Sequence, residues 1–172
     1  MLIAFSGLPG TGKTTLAQAL AAARGATYLR IDAIEQALRA ADAGLQDVGP
    51  RGYLVAYALA ESNLRLGSAV VADCVNPLEV TRAAWRAVAQ RTGVPIVQVE
   101  VVCSDPAEHQ RRVEGRTADL AGHVLPTWAS VVSHDYAQWQ GGRLVVDTAT
   151  LTVPQALEVI GQACAATRSV ET

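Results

Sequence analysis

The chain has 172 residues, half of them hydrophobic and 17% charged, with a formal net charge of −2. That length and apolar content support one globular core without disulfide staples, and exclude a disordered chain. No apolar run reaches the ~18 to 20 residues of a membrane span, and the near-neutral charge lacks the basic footprint of a dedicated nucleic-acid binder. Met1 runs straight into Leu2-Ile3-Ala4-Phe5 with no basic stretch ahead of it, so no secretory leader is expected. Cys74, Cys103 and Cys164 form no C-x-x-C pair, which predicts reduced thiols and a cytoplasmic location.

Short apolar runs alternate with longer helical stretches along one predicted domain, 1–172. This is the pattern of an α/β fold whose parallel strands are covered on both faces. Leu2 to Ser6 reads as the first strand. Lys13 to Ala23 follows as a helix with Leu16, Ala19, Leu20 and Ala23 on one face and Gly25 as its stop. Thr27 to Ile31 is the second strand, and Asp32 to Ala41 a helix with Ile34, Ala37, Leu38 and Ala41 inward. Asp42 to Gly52 is a loop, Pro50 to Leu66 a helix ended by Gly67, and Ala69 to Ala72 the third strand. Asn76-Pro77 is a capping residue with Pro at the first helical position, which predicts a helix from there to Thr92-Gly93. Pro95 to Val102 is the fourth strand, and Asp105-Pro106 opens the next helix in the same way. Gly115 to Pro126 is a second long loop, of the length that forms lids and binding segments. Thr127 caps a helix expected to run to Trp139, with Trp128, Val132 and Trp139 in one stripe. Arg143 to Val146 is the fifth strand, and Val153 to Ala166 the last helix.

Between the first strand and its helix stands Gly7-Leu8-Pro9-Gly10-Thr11-Gly12-Lys13-Thr14, a complete G-x-x-x-x-G-K-T. The glycines let successive main-chain N–H groups curl around a polyphosphate, and the helix that follows turns its positive end to the same anion. Gly7, Gly10, Thr11, Gly12, Lys13, Thr14 and Thr15 are therefore the candidate nucleotide-binding residues. Lys13 is assigned to the β- and γ-phosphates and the Thr14 hydroxyl to Mg²⁺, which makes ATP and Mg²⁺ the expected cofactors. Lys13 is also the one lysine among fourteen basic residues. No second lysine exists to build the Asn-Lys-x-Asp of a guanine reader. Asp73 is followed by Cys74 and Asp147 by Thr148, so the Asp-Glu pair that polarises water in motor-type ATPases is missing.

A kinase needs a carboxylate beside the acceptor hydroxyl and cations that close over the transferred phosphoryl group. Asp32, at the carboxyl end of the second strand, is the candidate base, with helix capping as its plainer role. Asp73, ending the third strand, is a candidate for Mg²⁺ or for the acceptor. Arg111, Arg112 and Arg116 supply lid cations, and the four-residue step from Arg112 to Arg116 predicts that both share one helix face. His109 and His123 have no ligand-like spacing and read as structural or surface residues, and Asn76 as a helix cap. The Trp stripe reads first as core packing; Trp128 or Tyr136, and more weakly Arg51, Tyr53 and Tyr57, are the candidates for an acceptor pocket.

Ala4-Phe5-Ser6 through Leu16, Ile31-Asp32-Ala33-Ile34, Val70-Val71-Ala72-Asp73-x-x-Asn76-Pro77 and Arg112-x-x-x-Arg116 resemble the AAA_33-like small bacterial P-loop kinases. That group includes chloramphenicol phosphotransferase-like and zeta-toxin-like proteins, and Ala72 to Val102 also resembles the kinase half of phage polynucleotide kinase. The resemblance spans most of the chain, but only the first motif is highly specific. It implies a three-layer P-loop NTPase fold with a five-stranded parallel sheet of order 2-3-1-4-5 and a lid at 111–127. It also implies ATP with Mg²⁺, Asp32 as base, and Arg112 with Arg116 as lid and transition-state cations. The expected reaction moves the γ-phosphoryl of ATP to a hydroxyl of a small-molecule acceptor, with no membrane or nucleic-acid partner and with oligomeric state open.

The sequence departs from that family at one informative place. Polynucleotide kinases carry an Arg three residues after the base to grip the acceptor's phosphate, and here that position is Glu35. Arg30, two residues before the base, is expected to point away from the mouth. A polynucleotide 5′-hydroxyl kinase and a catalytically idle ATP-binding regulatory module stand as the alternatives.

Overall fold

The computed structural model describes residues 1–169 apart from 43, 46, 121 and 123. Leu2–Ser6 (β1) is buried at all five positions, because it lies in the middle of a parallel sheet covered on both sides. Thr27–Arg30 (β2), Val70–Asp73 (β3), Ile96–Val102 (β4) and Leu144–Asp147 (β5) complete the sheet in the order β2-β3-β1-β4-β5, and every pairing is parallel. Strand periodicity of two sends Ile3 and Phe5 of β1 to one face, and Leu2 and Ala4 to the other.

The first face packs on Lys13–Arg24 (α1) and Val153–Ser169 (α7) through Leu16, Leu20, Val99, Val146 and Ile160. The second packs on Arg51–Arg65 (α3) and Glu79–Thr92 (α4) through Ala56, Ala60, Leu64, Trp85 and Val88. Trp85 is fully buried, with Tyr57 edge-on to it at 4.6 Å. This is the P-loop NTPase fold in three layers, with the expected strand order. No described helix is long and apolar enough to cross a membrane.

Several helix ends match their sequence signals. Gly25 closes α1 in the left-handed conformation, Asp105 caps Pro106–Glu114 (α5) by accepting from the Ala107 and Glu108 amides, and Thr127 caps Trp128–Val132 (α6). Three readings are corrected. The helix after β3 starts at Glu79, not at Asn76-Pro77; Asn76 has φ +50° and its side chain donates to Ser6 Oγ at 2.9 Å, so it cannot cap. The helix from Thr127 stops at Val132, so Trp139 lies beyond it and shares no stripe with Trp128; its ring stacks on Arg82 at 4.1 Å. The buried face of α1 runs through Leu16, Ala17, Leu20 and Ala21 rather than Ala19 and Ala23.

Ile31–Ala41 (α2) also differs. It follows β2 with no intervening loop, and only Ile31 is fully buried, Ala37 and Ala41 being exposed. A helix so lightly covered forms the wall of a cleft rather than a core layer.

Candidate active site

The segment from Gly7 to Gly12 turns between β1 and α1 at the carboxyl end of the sheet, where α/β folds gather their ligands. Gly7, Gly10 and Gly12 have φ of +143°, +85° and +86°. A Cβ on Gly7 would stand 2.3 Å from the Val101 carbonyl oxygen, and one on Gly10 would stand 2.5 Å from Val113 Cγ2, so both positions also need the space that glycine leaves. Thr11 Oγ1 donates to Leu8 O at 2.9 Å, and Thr148 Oγ1 donates to Thr11 O at 2.8 Å. His109 lies 2.8 Å through Nε2 from Pro9 O; since a carbonyl only accepts, Nε2 carries the proton. The loop is thus braced by β4, α5 and the turn after β5, a concavity set in shape before any anion reaches it. His109 is structural, as read from the sequence; His123 lies outside the described residues.

Beneath the loop, Lys13 Nζ is 2.9 Å from Asp73 Oδ1, and Tyr28 OH donates to Asp73 Oδ2 at 2.7 Å. Both members of the ion pair are buried. Burial pushes the Asp73 carboxyl up, but the Lys13 charge and hydrogen bonds from Tyr28, Lys13 and Thr14 outweigh it and hold the group below the usual carboxylate range. Burial, with the Asp73 charge behind it, raises the Tyr28 phenol far above its ordinary value, so Tyr28 is a fixed donor.

Among the described residues no group of three His, Cys, Asp or Glu could cage a metal. The Thr14 hydroxyl beside the Asp73 carboxylate is instead the sparse oxygen set that suits Mg²⁺, which keeps waters and phosphates as its remaining ligands. The residues fit that ion.

Over the loop opens a cavity of about 620 Å³ whose lining includes Lys13, Thr14 and Thr15, Arg30 and Asp32, and Arg111, Arg112 and Arg116. Asp32 sits in the first turn of α2, where Arg30 occupies the cap position without a side-chain cap bond, so Asp32 does not cap. Arg112 Nε is 2.7 Å from Glu108 Oε1, and its Nη1 donates to Thr148 Oγ1 at 2.8 Å. A smaller cavity of about 240 Å³ lies between Arg112, Thr15 and the 148–153 segment. Arg116 falls past the end of α5, so it does not share a helix face with Arg112, although both line the large cavity. Among the described residues it forms no ion pair.

Two sequence readings of the acceptor region are corrected. Tyr53 OH accepts from the Asn76 amide at 2.9 Å, Tyr57 packs on Trp85, Trp128 packs edge-on to His109 at 5.1 Å, and Tyr136 lies against Arg82. Arg51 is tied to the Asp47 and Val48 carbonyls. None of these five lines the large cavity. Arg30 does: it is 6% exposed, with Nη2 3.6 Å from Asp32 Oδ2 and a two-pronged contact to Asp119. A strand continued to Asp32 would turn Arg30 away from the mouth, but β2 ends at Arg30, and both side chains line the cavity. The available signal was a cation inside the otherwise apolar Tyr28-Leu29-Arg30-Ile31.

The AAA_33 family profile, an AAA domain, matches residues 2–133. No curated protein matches the chain. Among solved structures the chain is similar to a Chloroflexus aurantiacus protein described as a kinase, at 22% identity over 96% of each chain with a TM-score of 0.75. It is similar to a gluconokinase from Sinorhizobium meliloti at 19% identity, TM-score 0.66, covering 98% of this chain and 94% of that one. It is also similar to the Mycobacterium tuberculosis APS kinase in complex with AMPPNP and APS at 19% identity, TM-score 0.61, covering 94% and 96%. At these identities the likeness is one of fold.

Proposed function

Because the chain belongs to the AAA_33 family, whose profile covers residues 2–133, and carries its phosphate-loop lysine in one cavity with an α2 carboxylate and four arginines, we propose an ATP-dependent phosphotransferase. It moves the γ-phosphoryl of ATP to a hydroxyl of a small-molecule acceptor. One observation carries the reading: Lys13 and Asp32 wall the same cavity as Arg112 and Arg116. The kinases of like fold support it, one of them in complex with a nucleotide analogue together with its acceptor.

The main-chain amides of Gly10 to Thr15, backed by the positive end of α1, hold the triphosphate. Lys13 swings from Asp73 toward the β- and γ-phosphates. Mg²⁺, held through Thr14 with Asp73 behind it, neutralises phosphate charge when bound. Asp32 orients the acceptor hydroxyl and takes its proton. The acceptor oxygen bonds to the γ-phosphorus as the bond from that phosphorus to the β–γ bridging oxygen breaks, and the electron pair leaves with ADP. Arg112 and Arg116 close over the transferred group as parts of a lid at 111–127, and the nucleobase lies in the smaller cavity beside Arg112. One domain spanning 1–172 does this in the cytoplasm, in keeping with its three free thiols.

The test is incubation with Mg-ATP and metabolite pools, read by mass spectrometry for products heavier by one phosphoryl group. Asp32→Asn is expected to lower turnover roughly 10²- to 10⁴-fold while the fold, checked by circular dichroism, is unchanged. Full transfer by Asp32→Asn, or transfer confined to 5′-hydroxyl oligonucleotides, overturns the reading.

A further inference from the structure

Arg30 is a buried cavity-wall residue to which the phosphotransfer scheme above gives no role. Its side chain is 5% exposed, and its Nε donor is buried without a hydrogen-bond partner. A lone guanidinium this deep in a wall needs an anion. Asp32, the nearest carboxylate on its own segment, stands 3.6 Å off and is engaged by only one prong. The fork is filled instead from across the cleft, by both carboxylate oxygens of Asp119, whose own side chain is 50% exposed and belongs to the loop after α5. A buried cation satisfied by an exposed loop carboxylate is a binding fork with a replaceable occupant.

Arg30 and Asp119 also line a second cavity of about 400 Å³, which includes Leu29, Ile34 and Leu59. The pair therefore stands as a partition between that space and the 620 Å³ cavity. Moving Asp119 aside joins the two and leaves room for a ligand longer than a hydroxyl group.

We propose that the acceptor is a hydroxycarboxylic acid, whose carboxylate replaces that of Asp119 on the Arg30 fork and so sets its hydroxyl against Asp32. This rests on the phosphotransferase reading. The bidentate geometry suits a planar carboxylate, and the charge count selects it. Arg30 offers one positive charge, already shared with Asp32, and the triphosphate enters the same cavity. A monoanion in the place of the Asp119 carboxylate leaves the local charge count unchanged, whereas a phosphate dianion adds a further negative charge next to Asp32 and the nucleotide. A neutral polyol leaves the guanidinium to Asp119.

The experiment offers hydroxycarboxylic acids of two to seven carbons, each beside its neutral polyol and its phosphate ester, to the full-length protein with Mg-ATP. Phosphoryl transfer is read by mass shift, and nucleotide binding by calorimetry in parallel. The acids are expected to be phosphorylated with KM roughly 10- to 100-fold below that of their neutral counterparts. Arg30→Gln should abolish that preference, and Arg30→Lys should restore only part of it, since an ammonium lacks the fork. Asp119→Asn removes the competing occupant from an exposed position, so it stays informative if Arg30→Gln fails to fold, and it should lower KM for the acids several-fold. Preference for polyols or phosphate esters, no transfer to any acid although Mg-ATP binds, or Asp119→Asn raising KM for all acceptors alike overturns the carboxylate assignment and leaves the kinase reading standing. Failure to bind Mg-ATP sinks the kinase reading itself.

Discussion

Lys13 and Asp73 face each other across 2.9 Å in a setting where the lysine side chain is 8% and the aspartate 1% exposed. Such a pair draws little net stability from its own attraction, but removing one partner strands the other charge. Lys13→Ala is therefore expected to destabilise the fold by roughly 3–5 kcal/mol, beyond its effect on catalysis. Adding Asp73→Asn to Lys13→Ala should recover much of that loss, because a neutral amide still accepts from Tyr28 and Thr14. Urea midpoints of the two single variants and the double variant form the cycle that checks this. If the double variant is as unstable as the sum of the singles, the charges do not interact as the geometry requires. The cycle also decides how loss of activity in Lys13→Ala is read, since a half-unfolded enzyme says nothing of phosphate binding.

At the scale of elements, α5 is the brace of the phosphate loop. His109 donates to Pro9 O at 2.8 Å, and the Val113 and His109 side chains leave no space for a Cβ at Gly10. His109→Ala should loosen the loop and raise the Kd for Mg-ATP roughly 3- to 10-fold by calorimetry, the worth of one hydrogen bond, with the fold intact. On the same helix, hydrogen bonds from Arg111 and then Arg112 draw the Glu108 carboxyl from 4.5 down to about 2. Its folded value is depressed, so the contribution of this cluster is complete above pH 4.5 and disappears as the pH falls toward 2. Carboxyl NMR titration reads the value directly, and a Glu108 midpoint near 4.5 would show that Arg112 is free of it.

Elements also divide what the sequence discloses from what it conceals. The central strand was legible because burial on both faces demands an unbroken apolar run, Leu2-Ile3-Ala4-Phe5 in β1. Gly25, Asp105 and Thr127 were legible because each answers to local backbone geometry at a helix end. The phosphate loop was legible for the same reason, its glycine spacing being a backbone requirement. Asn76 was not, because its side chain is taken by Ser6, 70 residues away in sequence. Arg30 was misread because its direction depends on whether β2 ends before or after Ile31, a one-residue boundary that periodicity cannot resolve. The acceptor wall hung on that residue.

Over the whole molecule, β1 and β4 carry the phosphate loop and its brace, while the chain after α6 has no strand or helix until β5. Arg82 of α4 secures that stretch. It is fully buried, with Nε donating to Asn76 O at 3.0 Å, Nη2 to Pro77 O at 2.9 Å and Nη1 to Ala137 O at 2.8 Å. Trp139 and Tyr136 lie over the guanidinium at 4.1 and 4.9 Å. One side chain thus joins the turn after β3, whose Asn76 holds Ser6 at the end of β1, to a segment 55 residues on in sequence. Arg82→Met keeps most of the volume but leaves the Asn76 and Ala137 carbonyls without that donor, Pro77 O keeping the Ala137 amide, and takes the nearer cation from the Trp139 and Tyr136 rings. The expected loss is roughly 3–5 kcal/mol, seen as a lower urea midpoint. Tryptophan emission should also shift to the red, as Trp139 moves into water. A loss below about 1 kcal/mol, the range of an ordinary surface change, would mean that the 133–140 segment is held by something other than Arg82.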